Sequence, residues 1–287
     1  MNIITPNIHH LLDTWLNEDL GRGDLSQSAV ENYRAHAHWV SKQEGIFCGG
    51  EIVKCLFQRL DPSIEITLQK GEGAKLMVGE KIMDLNGPVA SLLAGERTAL
   101  NLAMHLSGVA TATKRLVSKL QGTGILLADT RKTTPGLRQL EKYAVRCGGG
   151  INHRLGLDDA AMLKENHIAW SHGIKQSIHT LRSNIPWTTK IIVEAETTQE
   201  AKEAVSAGAD GILLDEMSPN EITNLIPQLR ELAKQNSKEL IIEASGIDPN
   251  KILDFASTGV DIISTSSPIT QSTWIDFSMR FNKQEVN

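Results

Sequence analysis

Apolar positions along the chain fall into two textures. Over residues 5–20, Leu11, Leu12, Trp15 and Leu16 form one stripe at helical spacing, which predicts a helix. GRGDLS (21–26) reads as a loop. From 35 to 90 the apolar residues come in short extended pieces, HWVSKQEGIFCGG, IEITLQKGEGAKL and GEKIMDLNGP, with glycine-rich turns. That pattern predicts an antiparallel sheet with hairpins. A long helical pattern then runs from Leu92 to Leu120.

The second texture is rhythmic. GILLAD (124–129), KIIVEAE (190–196), GILLD (211–215), ELIIEAS (239–245) and VDIIS (260–264) are short, apolar and branched. Helical segments follow at 197–208, 218–235 and 248–259, and AAMLKENHI offers one more strand. Runs of this kind are buried parallel strands covered by helices. One βα unit recurs every 21 to 28 residues from Glu194 through Asp215 and Glu243 to Ser264. No GxGxxG follows the first strand, so a dinucleotide-binding open sheet has no support. Asp129, Glu194, Asp215, Glu243 and Ser264 all stand at strand C-terminal ends, which converge on one mouth in a barrel. The alternative is that these acids cap the following helices. It is weakest at Asp215, because Ser218-Pro219 makes a better cap and first turn.

The 287 residues suffice for one large domain or two ordinary ones. Hydrophobic residues at 40% and charged residues at 22% exclude a disordered chain. A net charge of -5 with 12 aromatic residues excludes a general nucleic-acid binder. Cys48, Cys55 and Cys147 are too scattered for a disulfide framework or a closed zinc site. They read as reduced thiols of a cytoplasmic protein. The N-terminal residues lack the basic head and apolar run of a signal peptide, and no stretch approaches the ~18 apolar residues of a membrane span.

Charge is unevenly placed. Segment 129–154, DTRKTTPGLRQLEKYAVRCGGGINHR, sums to +4 in a chain whose remainder sums to -9. Such an island focuses an anion. Thr134 and Pro135 are placed to cap and begin a helix, with Leu137, Leu140, Tyr143 or Ala144, and Cys147 as its buried stripe. Gly148–Gly150 end it and permit close backbone approach. Lys142 and Arg146, four residues apart, read as solvated charges, and Arg138 can share the substrate side. Arg131 and Lys132 follow a strand directly and so lie at the mouth. His153 and Arg154 leave the glycine turn nearby, with Lys164 and His167 shortly after. Arginine grips a carboxylate or phosphate with two parallel hydrogen bonds, so this set suits a ligand with several such groups. A structural ion-pair network would need more acids than the segment holds.

This segment, together with LKENH, EDLGRGDLS (18–26), GERTALNLAMHLSGVAT (95–111), EASG (243–246) and IDFSMRF (275–281), resembles the signature of the quinolinate phosphoribosyltransferase family, in order over nearly the whole chain. The resemblance implies an α/β protein with an N-terminal α/β sandwich and a C-terminal seven-stranded α/β barrel. The sandwich would comprise residues 1–107, joined by the tail 270–287, and the catalytic barrel residues 108–269. It implies transfer of phosphoribose from 5-phosphoribosyl 1-pyrophosphate to quinolinate, with decarboxylation, giving nicotinate mononucleotide, CO2 and pyrophosphate for NAD synthesis. It implies a homodimer with shared active sites, in which Arg97 reaches the partner's site. Arg131, Thr130, His153, Arg154, Lys164 and Arg97 would bind substrate. Lys132, Glu194 and Asp215 would be catalytic, with Lys132 also binding substrate. Glu194 and Asp215 would serve Mg²⁺ directly or through water or substrate, and Ser245, Gly246, Thr265 and Ser266 would cradle the 5-phosphate.

Three departures stand out. Ser245-Gly246-Ile247 replaces the family's SGG, Ser264–Ser267 replaces S-x-G-A, and LDEM (214–217) replaces LDN while keeping Asp215. Two alternatives remain at this level. One is a related phosphoribosyltransferase of the molybdenum-transport type with another acceptor, which Arg154 with Lys164 disfavours. The other is a noncatalytic anion-binding dimer, which Glu194 and Asp215 disfavour.

Overall fold

The computed structural model describes residues 3–30 and 33–282. In chain order its strands are β1 (Arg34–Ser41), β2 (Gly45–Ile46), β3 (Glu65–Leu68), β4 (Lys75–Leu76), β5 (Lys81–Pro88), β6 (Leu126–Ala128), β7 (Ala161–Leu163), β8 (Ile191–Ala195), β9 (Gly211–Asp215), β10 (Ile241–Ser245), β11 (Ile262–Ser264) and β12 (Phe277–Phe281). Packing divides the chain into two units. The first holds Met1–Lys114, Gln139–Gly149 and Gln271–Asn287; the second holds Arg115–Arg138 and Gly150–Thr270. Within the tail expected to join the sandwich, residues 283–287 lie outside the described residues.

The first unit is an antiparallel sheet in the order β12-β1-β5-β3, with a two-stranded β2-β4 ribbon. β12 pairs with β1 from Ala37↔Phe281 to Ser41↔Phe277. Helices at Pro6–Leu20 and Gly50–Leu60 bury Ile8, Leu12, Ile52, Leu56 and Phe57, and the sheet buries Trp39 and Ile82. The second of these helices was not foreseen. Its first turn has no side-chain cap of its own; the Glu72 carboxylate accepts instead from the N–H groups of Gly49, at 2.9 Å, and Glu51. The long helix observed is Val89–Lys119.

Helix Arg138–Cys147 begins later than expected. Gly136 has φ +82°, outside helical space, so Thr134 and Pro135 form a turn closed by the Leu137 N–H on the Thr134 carbonyl. Lys142, expected in solvent, is 2% exposed, whereas Arg146 is exposed. The glycines after this helix do permit close approach: a side chain at Gly148 would strike the Ala110 carbonyl and Thr113.

The second unit is a parallel sheet in the order β6-β11-β10-β9-β8-β7. The first and last of these strands in sequence are neighbours, as closure of a barrel requires. On the other side of β6, Ile151 makes an isolated parallel bridge to Ala128. Seven strands were expected; six are found, and one bridge stands at the seventh position. Strands 191–195, 211–215 and 241–245 alternate. Ile191, Val193, Ile212, Leu214, Ile242 and Ala244 join the core that the outer helices cover. The intervening positions face inward. The segment expected to be helical at 248–259 is a 3₁₀ helix, Pro249–Phe255.

At the strand starts two aspartates act as clamps. Asp210 accepts from the Ile191 N–H at 2.8 Å and pairs with Arg182 and Lys238. Asp261 accepts from the Ile242 N–H at 2.7 Å and pairs with Arg230. Each follows a left-handed glycine, Gly208 or Gly259, by two residues. Among the described residues no helix is long and apolar enough to cross a membrane.

Candidate active site

At the opposite, C-terminal ends of the strands, a cavity of about 440 Å³ opens in the second unit. Its lining includes Thr130, Arg131, Lys132, His153, Arg154, Lys164, Glu194, Asp215, Ser245 and Gly246, all anticipated from sequence. Register explains the convergence. Glu194 lies level with Leu213, and Leu213 with Glu243; one step outward, Asp215 lies level with Ser245. Inward positions that are apolar at the base thus become polar at the mouth.

Four cations and four acids share this space. Burial, and then the neighbouring charge of Arg131, push the Arg154 guanidinium below its usual range. An anion held beside both guanidiniums would relieve that repulsion. Arg154 also donates to the Ala160 carbonyl at 3.0 Å. Lys164 is ion-paired with Glu194. Asp129, 1% exposed, is not among the lining residues; its carboxylate accepts from the His153 N–H at 2.9 Å and the Asn152 amide at 2.7 Å, which fixes the turn carrying Arg154. Ser218 caps Pro219–Gln235 with Glu221 as its reciprocal partner, leaving Asp215 free of that duty.

Other expected residues lie elsewhere. Thr265 and Ser266 directly follow lining residue Ser264 but are not among the lining residues. The Thr265 N–H is used by the Ala128 carbonyl, and the helix that follows, Ser267–Thr270, has four residues. Arg97 is exposed on helix Val89–Lys119 of the first unit. Arg138 bonds back to Thr133 and the Leu155 carbonyl instead of entering the site.

Glu216 lines the cavity without having been singled out from sequence, and Glu243, expected at the mouth as a strand-end acid but given no role, lines it as well. Glu216 has φ +55°, and a side chain at Gly246 (φ +72°) would meet its backbone and Asp215 at about 3.1 Å. The departure of LDEM from LDN was the available signal, since asparagine tolerates left-handed backbone better than glutamate. For a hard cation, the cavity offers carboxylate oxygens from Glu194 and Asp215, with Glu216 and Glu243 beside them. Among the described residues, Cys48, Glu72 and Cys147 also cluster in the first unit, where Glu72 serves as the helix cap.

The fold and site define an α/β barrel protein whose mouth gathers four cations and four carboxylates in one cavity. The model of the quinolinate phosphoribosyl transferase C-terminal domain matches residues 109–280, and that of the N-terminal domain residues 24–107. The "Probable nicotinate-nucleotide pyrophosphorylase (carboxylating)" of Synechocystis sp. is 44% identical over 271 residues, covering 94% of this chain and 90% of that protein. The nicotinate-nucleotide pyrophosphorylase (carboxylating) of Homo sapiens is 32% identical over 278 residues, covering 96% and 92%. The solved structure of the nicotinate-nucleotide pyrophosphorylase from Francisella tularensis superposes with a TM-score of 0.90 at 35% identity, covering 97% of this chain and 98% of that one. The chain belongs to the quinolinate phosphoribosyl transferase family.

Proposed function

We propose that the cavity carries out the reaction for which its family is named. The activity is that of a nicotinate-nucleotide diphosphorylase (carboxylating): phosphoribosyl transfer to quinolinate from 5-phosphoribosyl 1-pyrophosphate, with loss of CO2, in NAD biosynthesis. The observation that carries this reading is the gathering of Arg131, Arg154 and Lys164 against Glu194 and Asp215 in one cavity. A planar dicarboxylate needs the former; a sugar that gains positive charge at its anomeric carbon needs the latter.

In this reading Arg131, Arg154, His153, Lys164 and Thr130 hold quinolinate, with Arg97 supplied from a second copy in a homodimer. Lys132 faces the pyrophosphate. Ser245 and Gly246 bind the 5-phosphate, and the adjoining Thr265 and Ser266 extend that end. Glu194 and Asp215 stabilise the oxocarbenium-like centre electrostatically. No protein nucleophile is required, so positioning supplies much of the acceleration. The two carboxylates fit Mg²⁺, directly or through water or the ribose hydroxyls. Bound with the pyrophosphate, the ion would offset the charge of the leaving group. We also assign residues 1–107 with the tail 270–287 to the sandwich domain, residues 108–269 to the catalytic barrel, and the protein to the cytoplasm, a setting supported by three cysteines without disulfides.

The test is release of pyrophosphate from 5-phosphoribosyl 1-pyrophosphate with each acceptor. Release with quinolinate and none with nicotinate is expected. Release with a different acceptor alone would indicate the molybdenum-transport-type relative. Tight binding of both substrates without turnover would indicate a noncatalytic anion binder.

A further inference from the structure

In the wall of the cavity proposed to bind anions sits an acid with no evident use there. Glu243 is 5% exposed, and its neighbours in register on β9 and β11 are Leu213 and Ile262, both apolar. Its Oε2 lies 3.3 Å from His153 Nε2, an ion-pair approach without hydrogen-bond geometry, and its Oε1 has no hydrogen-bond partner. A buried carboxylate is costly, and in the wall of a pocket for anions it opposes binding by simple repulsion. An apolar residue of similar volume would avoid both effects. The neighbouring ring explains why an acid stands there.

His153 Nδ1 accepts the backbone N–H of Arg154 at 2.7 Å. That nitrogen is therefore the unprotonated one, and the ring proton sits on Nε2, facing Glu243. Arg154 is one of the two arginines that line the cavity. We infer that Glu243 is a positioning residue: it reinforces the tautomer that the Arg154 N–H selects and holds the plane of His153, and through Nδ1 the backbone of Arg154, so that the guanidinium meets the acceptor's carboxylate. The inference rests on the reaction proposed above, and wild-type turnover with quinolinate tests that reading by itself.

Three variants separate positioning from other roles. Glu243→Gln keeps an acceptor for Nε2–H without the charge. Glu243→Ala removes the acceptor, and Glu243→Met removes it while filling the volume. In the active wild type, ¹⁵N spectra should show His153 protonated at Nε2. Glu243→Gln should keep that signature and stay within about 3-fold of wild type in kcat/KM. Glu243→Met and Glu243→Ala should mix the tautomers and raise the quinolinate KM roughly 10-fold or more, with the KM for 5-phosphoribosyl 1-pyrophosphate and kcat much less affected. Glu243→Met keeps the test decisive if Glu243→Ala does not fold. Equal damage in Glu243→Gln and Glu243→Met, confined to kcat, would show a charge acting on the reaction and overturn the inference. So would an unchanged His153 tautomer in Glu243→Met.

Discussion

Lys164 and Glu194 are ion-paired across adjacent strand ends, so a cation proposed for the acceptor and an acid proposed for the sugar meet in the wall of the cavity. In the proposed reading the two substrates' sites would therefore share an electrostatic joint. Glu194→Gln should lower kcat about 100-fold, because an amide does not stabilise positive charge in the transition state. Lys164→Ala should mainly raise the quinolinate KM. Steady-state kinetics in both substrates, and a double-mutant cycle, check this; strictly additive losses would deny the coupling.

Arg131 and Arg154 differ from lysine in geometry as well as charge. Arg154→Lys preserves the charge but loses the planar fork and the bond to the Ala160 carbonyl. The expected loss is about 1–2 kcal/mol of binding, or a roughly 10-fold rise in quinolinate KM. Arg131→Ala should cost more. Titration with quinolinate by calorimetry reads both.

Glu216 occupies left-handed backbone at φ +55° immediately after Asp215. Its strain is worth roughly 1 kcal/mol. Glu216→Asn, which suits that conformation, should raise Tm by about 2–4 °C. Differential scanning calorimetry decides, and a fall in Tm would mean that the Glu216 side chain contributes more than its backbone costs.

Asp210 links pH to stability. Burial pushes its carboxyl up, but the Ile191 N–H, Arg182 and Lys238 outweigh burial and hold it below the ordinary carboxylate range. Its contribution is complete above the unfolded value of about 4 and disappears as pH falls through the depressed folded value. Asp210→Ala should cost about 2–3 kcal/mol at pH 7, with a smaller difference from wild type under strong acid. Denaturant unfolding at pH 7 and pH 3 measures it.

The parallel strands were legible because burial on both sides leaves runs such as IIVEA and GILLD with few polar residues, and those few mark the mouth. Their two-residue alternation was hidden, since both faces are apolar until the last turn of the pleat. The cationic residues around Arg131 and Arg154 were legible from composition alone. Helix 50–60 was obscured by the two glycines at its start and by a cap, Glu72, that is distant in sequence. Thr134-Pro135 imitated a helix start that Gly136 forbids. Lys142 illustrates a general limit: spacing along a helix places a charge on a face, but only the tertiary partners of that face decide whether it meets water. Glu243 was visible as a strand-end acid, but its relation to His153 depends on which strands lie across the ring.

The pairing of β12 with β1 also sets an order of events during synthesis. Residues 277–281 leave the ribosome after every barrel strand, so the barrel's own ladder can assemble while β1 still presents an open backbone edge. Nascent chains arrested before Phe277 would carry a finished catalytic half beside a sheet lacking its border, and that unfinished margin is where chaperones or wrong neighbours would attach.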